Sequence, residues 1–565
     1  MKKLINSVLD VVPDMLQGLA LSQPAIQLLQ GQNIALRADV DALKARHEVA
    51  LVSGGGAGHE PAHAGFIGPG LLTAAVVGDV FTSPSADAVL AAIEAVANPA
   101  GVLLIIKNYT GDRLNFGLAA EIARSRGIAV ETVVVADDAA LSARGEHAGR
   151  RGLAGTVLVH KVAGAAAAAG KPLAEVHAAA MHAAQAVSTM GVALSPCTVP
   201  AAGKPSFTLG DDEIELGLGI HGEPGVQRAP LAPARVLVER ILNVLLQDQN
   251  IQAEERVALL INNLGGTPAM EMAIVTQAAL HHLAQRGIHA ERAWTGTFLS
   301  ALEMSGVSLS LMRLDAPLLA ALDAPAEASA WPAAHQGLIA NPGRITRAGA
   351  GSLSSDTAGY AVAQAAARPG LKHAITQVLD TLEAAEPELT RMDQVVGDGD
   401  LGISLSRGAQ ALRQALPGYP LYDLPATLRA MSATLRRVLG GTSGPLYAIG
   451  LLRAAQSLQN TPGDGAAALR AATQGIMEVG GARQGDRTML DALIPAASAW
   501  EDAAGLPLAQ ALQRAADAAE QGCAATAEVV ARRGRSSYLG ERALGHPDPG
   551  AKAVALWLQA LANSC

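Results

Sequence analysis

Aromatic side chains are scarce here: they make up 3% of the 565 residues, and cysteine occurs only three times. So few rings exclude a stacking platform for single-stranded nucleic acid. Cys197, Cys523 and Cys565 are far apart and form no CxxC pair, so neither a disulfide framework nor a zinc site is expected, and a reducing cytosol suits the chain. Basic runs are missing as well, and a net charge of −9 carries no nucleic-acid footprint. No apolar run is long enough to span a bilayer, because the Ala-rich stretch 163–187 is broken by Lys171, Glu175, His177 and His182. The Met1-Lys-Lys start is followed by Asp10 and Asp14 and by no cleavage motif, so a cytoplasmic protein is expected, without a secretory leader or a membrane partner.

What remains is abundant small apolar residue. Hydrophobic residues make up 50% of the chain, much of it alanine, and the length calls for two to four domains. Between about 48 and 310, short aliphatic runs (Val49–Val52, Val102–Ile106, Val130–Val135, Val257–Ile261) alternate with Ala-rich helical segments, the pattern of buried strands in α/β layers. Over 324–360 it dissolves into Ala, Pro, Gly, Ser and Thr, the composition of a linker. Beyond it, helical spacing recurs through 371–386, 406–416, 424–439, 446–459, 465–479, 488–503, 507–531 and 550–563, which predicts an all-α domain.

Chemistry concentrates in the loops. Asp393, Asp398 and Asp400 lie within eight positions, with Gly397, Gly399 and Gly402 between and beyond them. That cluster suits a hard cation such as Mg²⁺, which takes oxygen ligands and keeps positions open for phosphate; a solvated acidic turn is the bland alternative. Two strand ends carry polar glycine loops, Ser53-Gly-Gly-Gly-Ala-Gly-His-Glu-Pro61 and Lys107-Asn-Tyr-Thr-Gly-Asp112. Ligands of open α/β sheets bind at such ends. Asp112 reads as a general base or as the cap of a helix beginning near Leu114, the cap being the default for a lone Asp. His221 sits among Gly217, Gly219, Gly222 and Gly225, a backbone that presents the imidazole as base, metal ligand or nucleophile. Leu439-Gly-Gly-Thr-Ser-Gly-Pro445 opens a helix and is a candidate phosphate cradle.

Together these motifs resemble the dihydroxyacetone kinase family in its single-chain, ATP-dependent form. The resemblance covers nearly the whole chain outside the linker. The loops Ser53–Pro61 and Ile106–Asp112, Cys197-Thr-Val-Pro-Ala-Ala-Gly-Lys-Pro205 and Gly219-Ile-His-Gly-Glu-Pro-Gly225 are similar to its ketone-binding part. Asp393–Asp400, Gly440–Leu446, Gly485-Asp-Arg-Thr-Met489 and Gly534–Arg542 are similar to its helical nucleotide-binding part. The implied fold is an α/β region of two subdomains (1–190 and 191–325), a flexible linker (326–362) and an all-α helical barrel (363–565). The implied reaction is phosphorylation of dihydroxyacetone by Mg-ATP, in a homodimer.

The resemblance also assigns roles. His221 matches the histidine that holds the ketone as a hemiaminal; Gly56, Ala57, Gly58, His59, Lys107 and Asp112 match other substrate contacts, with His59 and Asp112 as acid/base candidates. Asp393, Asp398 and Asp400 match Mg²⁺ ligands. Leu401, Gly402, Ile403, Ser404, Thr442, Ser443, Gly480, Met489, Arg535, Asp548, Pro549 and Gly550 match nucleotide contacts. The chain departs from the family pattern at Leu401, where His or Thr is common, at Ala57 in place of Ser, and at Gln484 in place of Pro. A ketotetrose kinase, an activity that cyclises FMN out of FAD, and a ketone-sensing regulator are the competing readings.

Overall fold

The structure, a computed structural model, describes residues 2–141, 150–221, 225–332, 369–397, 399–439, 443–533 and 535–565. The chain divides into two compact units, Met1–Arg344 and Ile345–Cys565.

The first unit is built on two six-stranded sheets. Strands β1 (Ile26–Leu28), β2 (Ile34–Arg37), β3 (Ala50–Ala57), β4 (Ala74–Val80), β5 (Val102–Lys107) and β6 (Val130–Val135) form the first, in the order β1-β2-β4-β3-β5-β6. Its central pairs β4–β3, β3–β5 and β5–β6 are parallel. The aliphatic runs of β3 and β5 follow from this position: both faces are covered, so every residue of each strand is buried. Leu51, Leu103 and Ile105 enter one core, while Val52, Leu104 and Ile106 enter the core on the other face. The second sheet takes β7 (Val187–Ala193), β8 (Glu213–Leu216), β9 (Gln227–Pro230), β10 (Arg256–Asn263), β11 (His289–Gly296) and β12 (Gly306–Arg313), in the order β11-β10-β12-β7-β8-β9.

The two sheets share a core. Leu103 and Ile105 of β5, Val187 of β7, Ala258 and Leu260 of β10 and Met312 of β12 belong to one cluster of buried side chains. The helix Thr156–Ala168 packs against β3 and β5, and Leu173–Ala186 touches both β5 and β12. The first of these is buried along nearly its whole length, which its alanines and Gly164 permit. The expected boundary at 190/191 falls inside β7, so that strand belongs wholly to the second sheet. The expected linker also begins too early. Glu327 N donates to Pro69 O at 2.9 Å, Ala330 N donates to Gly65 O at 3.0 Å, and the buried Trp331 lies 5.3 Å from Trp294, so 326–332 is packed onto the first unit. The rest of that span lies outside the described residues.

In the second unit the described residues form α-helices and short 3₁₀ turns. Pro369–Ala384, Leu401–Ala415, Leu424–Val438, Ser443–Asn460, Gly465–Gly480, Leu490–Asp502, Leu508–Ala525 and Pro549–Asn563 pack in sequence order, and the last packs back on the first, closing a ring. Glu386–Val396, which the apolar spacing did not predict, is a further helix. It is mostly polar and buries only Leu389, Asp393 and Val396, too few for a periodic signal. No helix among the described residues is long and apolar enough to cross a membrane.

A Cβ on Gly164 would stand 2.2 Å from Gly70 O, a backbone atom. Gly164→Ala is therefore expected to lower the unfolding temperature, because overpacking of about 1–3 kcal/mol outweighs a helix-propensity gain of about 1 kcal/mol. A denaturation curve showing stabilisation would contradict this packing.

Candidate active site

The first predicted loop begins inside β3, whose last five residues are Ser53–Ala57, and the chain turns only from Gly58. A Cβ on Gly55, at φ +154°, would sit 2.4 Å from Lys107 Nζ, and one on Gly56 would sit 2.5 Å from Thr82 N. Only glycine admits such close approach. Ala57 is buried at the end of β3, and Gly58 (φ +96°) donates its N–H to the Glu60 carboxylate at 2.9 Å.

That turn delivers His59 into a closed environment with 0% exposure. Its Nδ1 lies 2.9 Å from Ser300 O. A carbonyl only accepts, so the proton is on Nδ1 and Nε2 presents a lone pair. That Nε2 is buried and has no hydrogen-bond partner. Burial, followed by the neighbouring His221 and Lys107, holds the imidazole basicity well below its usual range, so His59 is neutral at pH 7. The ring stacks on Phe81 at 5.0 Å and meets His221 edge-on at 4.9 Å. His221 also meets Phe81 at 5.3 Å and Tyr109 at 4.5 Å, so three rings enclose it.

The loop carrying His221 is tied at both ends. Gly217 O accepts from Arg151 Nη2 at 2.7 Å, and Gly225 N donates to Glu215 Oε1 at 2.9 Å. Residues 222–224 lie outside the described residues.

Lys107 ends β5 and is 1% exposed. Its Nζ lies 3.0 Å from Gly54 O, 2.9 Å from His63 Nε2 and 3.6 Å from Asp112 Oδ2. Burial lowers the lysine pKa, and Asp112 opposes that shift. Asp112 is no cap: the helix starts at Thr110, two residues before it, and the carboxylate instead accepts a short hydrogen bond from Ser83 Oγ. Seven of the predicted positions, Gly56, Ala57, Gly58, His59, Lys107, Asp112 and His221, thus belong to one neighbourhood at the strand ends.

In the second unit, Asp393 is buried in the last turn of Glu386–Val396, and its Oδ2 accepts from Leu401 N at 3.2 Å. Asp400 stands just before Leu401–Ala415, is exposed, and makes no capping bond. A Cβ at Gly397 would fall 2.2 Å from Asp393 Oδ1, so glycine there keeps that oxygen open. Hard carboxylate oxygens on a glycine turn fit Mg²⁺. Asp398 lies outside the described residues, and among the described residues no three His, Cys, Asp or Glu side chains form a metal-binding group.

The positions expected to touch nucleotide gather at helix N-termini. Leu401, Gly402, Ile403 and Ser404 form the first turn of one helix, Ser443 opens another, Met489 precedes Leu490–Asp502, and Asp548 caps Pro549–Asn563, with Pro549 and Gly550 in its first turn. A Cβ on Gly550 would lie 3.6 Å from Met489 Cβ, so two of these termini adjoin. Gly480 ends its helix instead, with Leu446 beside it. Arg535 opens a 3₁₀ turn, its side chain outside the description, and Thr442 lies outside the described residues. Helix N-termini attract phosphate through free N–H groups and the helix dipole.

Residues 17–330 match the Dak1 domain, and residues 395–563 match the DAK2 domain. The chain belongs to the dihydroxyacetone kinase family. Human triokinase/FMN cyclase is 45% identical over 573 residues, covering 99% of this chain and 98% of that one. A tomato (Solanum lycopersicum) protein described as a putative 3,4-dihydroxy-2-butanone kinase is 46% identical over 587 residues, covering 99% and 98%. The crystal structure of the dihydroxyacetone kinase from C. freundii in complex with AMP-PNP and Mg²⁺ is similar at TM-score 0.62, with 37% identity and 100% of each chain covered.

Within this dihydroxyacetone kinase fold, several site residues escaped sequence reasoning. Phe81 and Tyr109 wall the His221 ring, Ser300 sets the His59 tautomer, and Ser83 binds Asp112. Only Tyr109 lay inside a motif already singled out; Ser300 lies 241 positions from His59, and no spacing rule spans that distance. Arg487, though inside the Gly485–Met489 motif, is buried and donates to Thr526 O, Ala543 O and His546 O, so it braces loops.

Burial pushes the Asp548 carboxyl up to about 6, from an ordinary value of 3.8. The folded protein then binds more protons than the unfolded one between those values, so this residue costs stability above pH 6 and less as pH falls toward 4. Asp548→Asn, which keeps a capping oxygen, is expected to raise the unfolding temperature at pH 8, by an amount equivalent to on the order of 1–3 kcal/mol, and to have little effect near pH 4. Equal shifts at both pH values in differential scanning calorimetry would refute it.

Proposed function

We propose that the chain phosphorylates a terminal hydroxyl of a short ketose, dihydroxyacetone first, using Mg-ATP. The observation that carries this reading is the buried His59 Nε2, an unpartnered acceptor edge-on to His221 and close to the Lys107–Asp112 pair. The His221 Nε2 lone pair forms a bond to the carbonyl carbon; the carbonyl oxygen gains a proton, and Nδ1 releases one, giving a neutral hemiaminal. An alcohol has no carbonyl to attack, so glycerol is rejected by reactivity. The substrate hydroxyl then attacks the γ-phosphorus of ATP, its proton passes to Asp112 or to His59 Nε2, and the bond to the bridging oxygen breaks to release ADP. Asp393, Asp398 and Asp400 would hold Mg²⁺, which neutralises phosphate charge when bound.

Two relatives widen the substrate question. The human relative's name includes FMN cyclase, which supports a second reading in which the nucleotide site also cyclises FMN out of FAD. The tomato relative's description supports including four-carbon ketones. The retained His221, Asp112, Asp393 and Asp400, and the fused second unit, favour an enzyme over a ketone-sensing regulator. The free cysteines Cys197, Cys523 and Cys565 fit a cytoplasmic setting, and we take the assembled state to be a homodimer, a reading that light scattering tests.

Steady-state kinetics with Mg-ATP on dihydroxyacetone, glyceraldehyde, erythrulose and glycerol test the main reading. Dihydroxyacetone should be turned over and glycerol ignored; comparable glycerol turnover would refute the hemiaminal. His221→Ala should raise the ketone KM at least about tenfold and relax that discrimination. Asp398→Ala should abolish Mg-nucleotide binding in calorimetry while ketone binding survives, and loss of both would refute the division of labour between the units.

A further inference from the structure

Behind the Lys107 ammonium lies a second layer of histidines that the reaction above does not use. His63 Nε2 is 2.9 Å from Lys107 Nζ, and His63 Nδ1 is 3.0 Å from His160 Nε2. His160 Nδ1 is buried and has no partner. All three residues are buried, with Lys107 at 1%, His63 at 4% and His160 at 0% exposure. The groups turned toward this chain are Asp112 from the helix Thr110–Ser125, Gly54 O from β3, and the ring of His59.

Proton positions along such a chain are coupled. An ammonium at Lys107 can only donate, so His63 Nε2 must accept, His63 Nδ1 must carry the proton given to His160 Nε2, and His160 must be protonated on Nδ1. Reversing the chain puts a proton on His63 Nε2 and requires an amine at Lys107. Burial and the nearby lysine charge hold both histidines far below their ordinary basicity, so they stay neutral and His63 keeps a lone pair for the ammonium.

We propose that His63, backed by His160, is a positioning residue that keeps Lys107 as an ammonium aimed at Asp112. Gly54 O takes one of the three ammonium protons and His63 another, which leaves the third directed at the Asp112 carboxylate. This inference rests on the kinase reading, in which Asp112 serves the substrate hydroxyl.

The test is the pH profile of kcat/KM for dihydroxyacetone in the full-length enzyme. His63→Leu removes the acceptor, so Lys107 should lose its proton at lower pH and the alkaline limb should move acidward by at least about one unit. His63→Gln, whose amide oxygen accepts, should restore the limb to near its wild-type position. A His63→Leu profile that superimposes on wild type, or a His63→Gln profile shifted as far as His63→Leu, overturns the proposal. If His63→Leu does not fold, His160→Phe interrupts the same chain one link out and should shift the limb in the same direction; no shift there overturns it as well. A wild-type enzyme that makes no phosphorylated ketose refutes the kinase reading instead, so the two failures are distinguishable.

Discussion

A lysine taken out of water is the constraint around which the strand-end neighbourhood of the first unit is organised. Removing an ammonium from solvent costs several kcal/mol unless each proton finds an acceptor. Lys107 meets that demand with a backbone carbonyl, a neutral imidazole and a carboxylate, on three different elements. Gly55 exists in this arrangement because any larger residue would collide with Nζ. The glycines therefore let a strand pass directly over a buried lysine.

The second unit handles charge differently. Asp393 is buried and accepts a hydrogen bond from a backbone N–H, while Asp400 faces solvent. Around them lie several helix N-termini, positions whose free N–H groups attract anions without a lysine. The chain as a whole is acidic, with 51 Asp and Glu against 42 Lys and Arg.

Much of this was legible in the sequence, and what was not has physical causes. The strands β3, β5 and β10 announced themselves because strands buried on both faces are continuously aliphatic, whereas β6, at the sheet edge, exposes Glu131 and Val134 and was legible from its valines alone. Helix Glu386–Val396 did not, because it buries only a few side chains. Motif resemblance brought His59, Lys107, Asp112 and His221 to one list, and the fold brought them to one place. Of the two roles the sequence allows Asp112, general base or cap, the cap fails because apolar spacing puts the helix start near Leu114, whereas the polar first turn begins at Thr110. Ser300, His63 and His160 stayed hidden since their roles exist only through contacts between distant segments.

The shared core of the two sheets also bears on how substrate choice can change. His59 and Lys107 project from the first sheet's strand ends, His221 from a loop anchored on the second, and a continuous apolar cluster joins both sheets. Close-packed interiors of this kind shift between discrete arrangements and do not stretch. A core shared in this way resists opening or closing one sheet against the other. Change in that neighbourhood is then left to the side chains that wall the His221 ring, such as Phe81 and Tyr109, with the two sheets fixed in place.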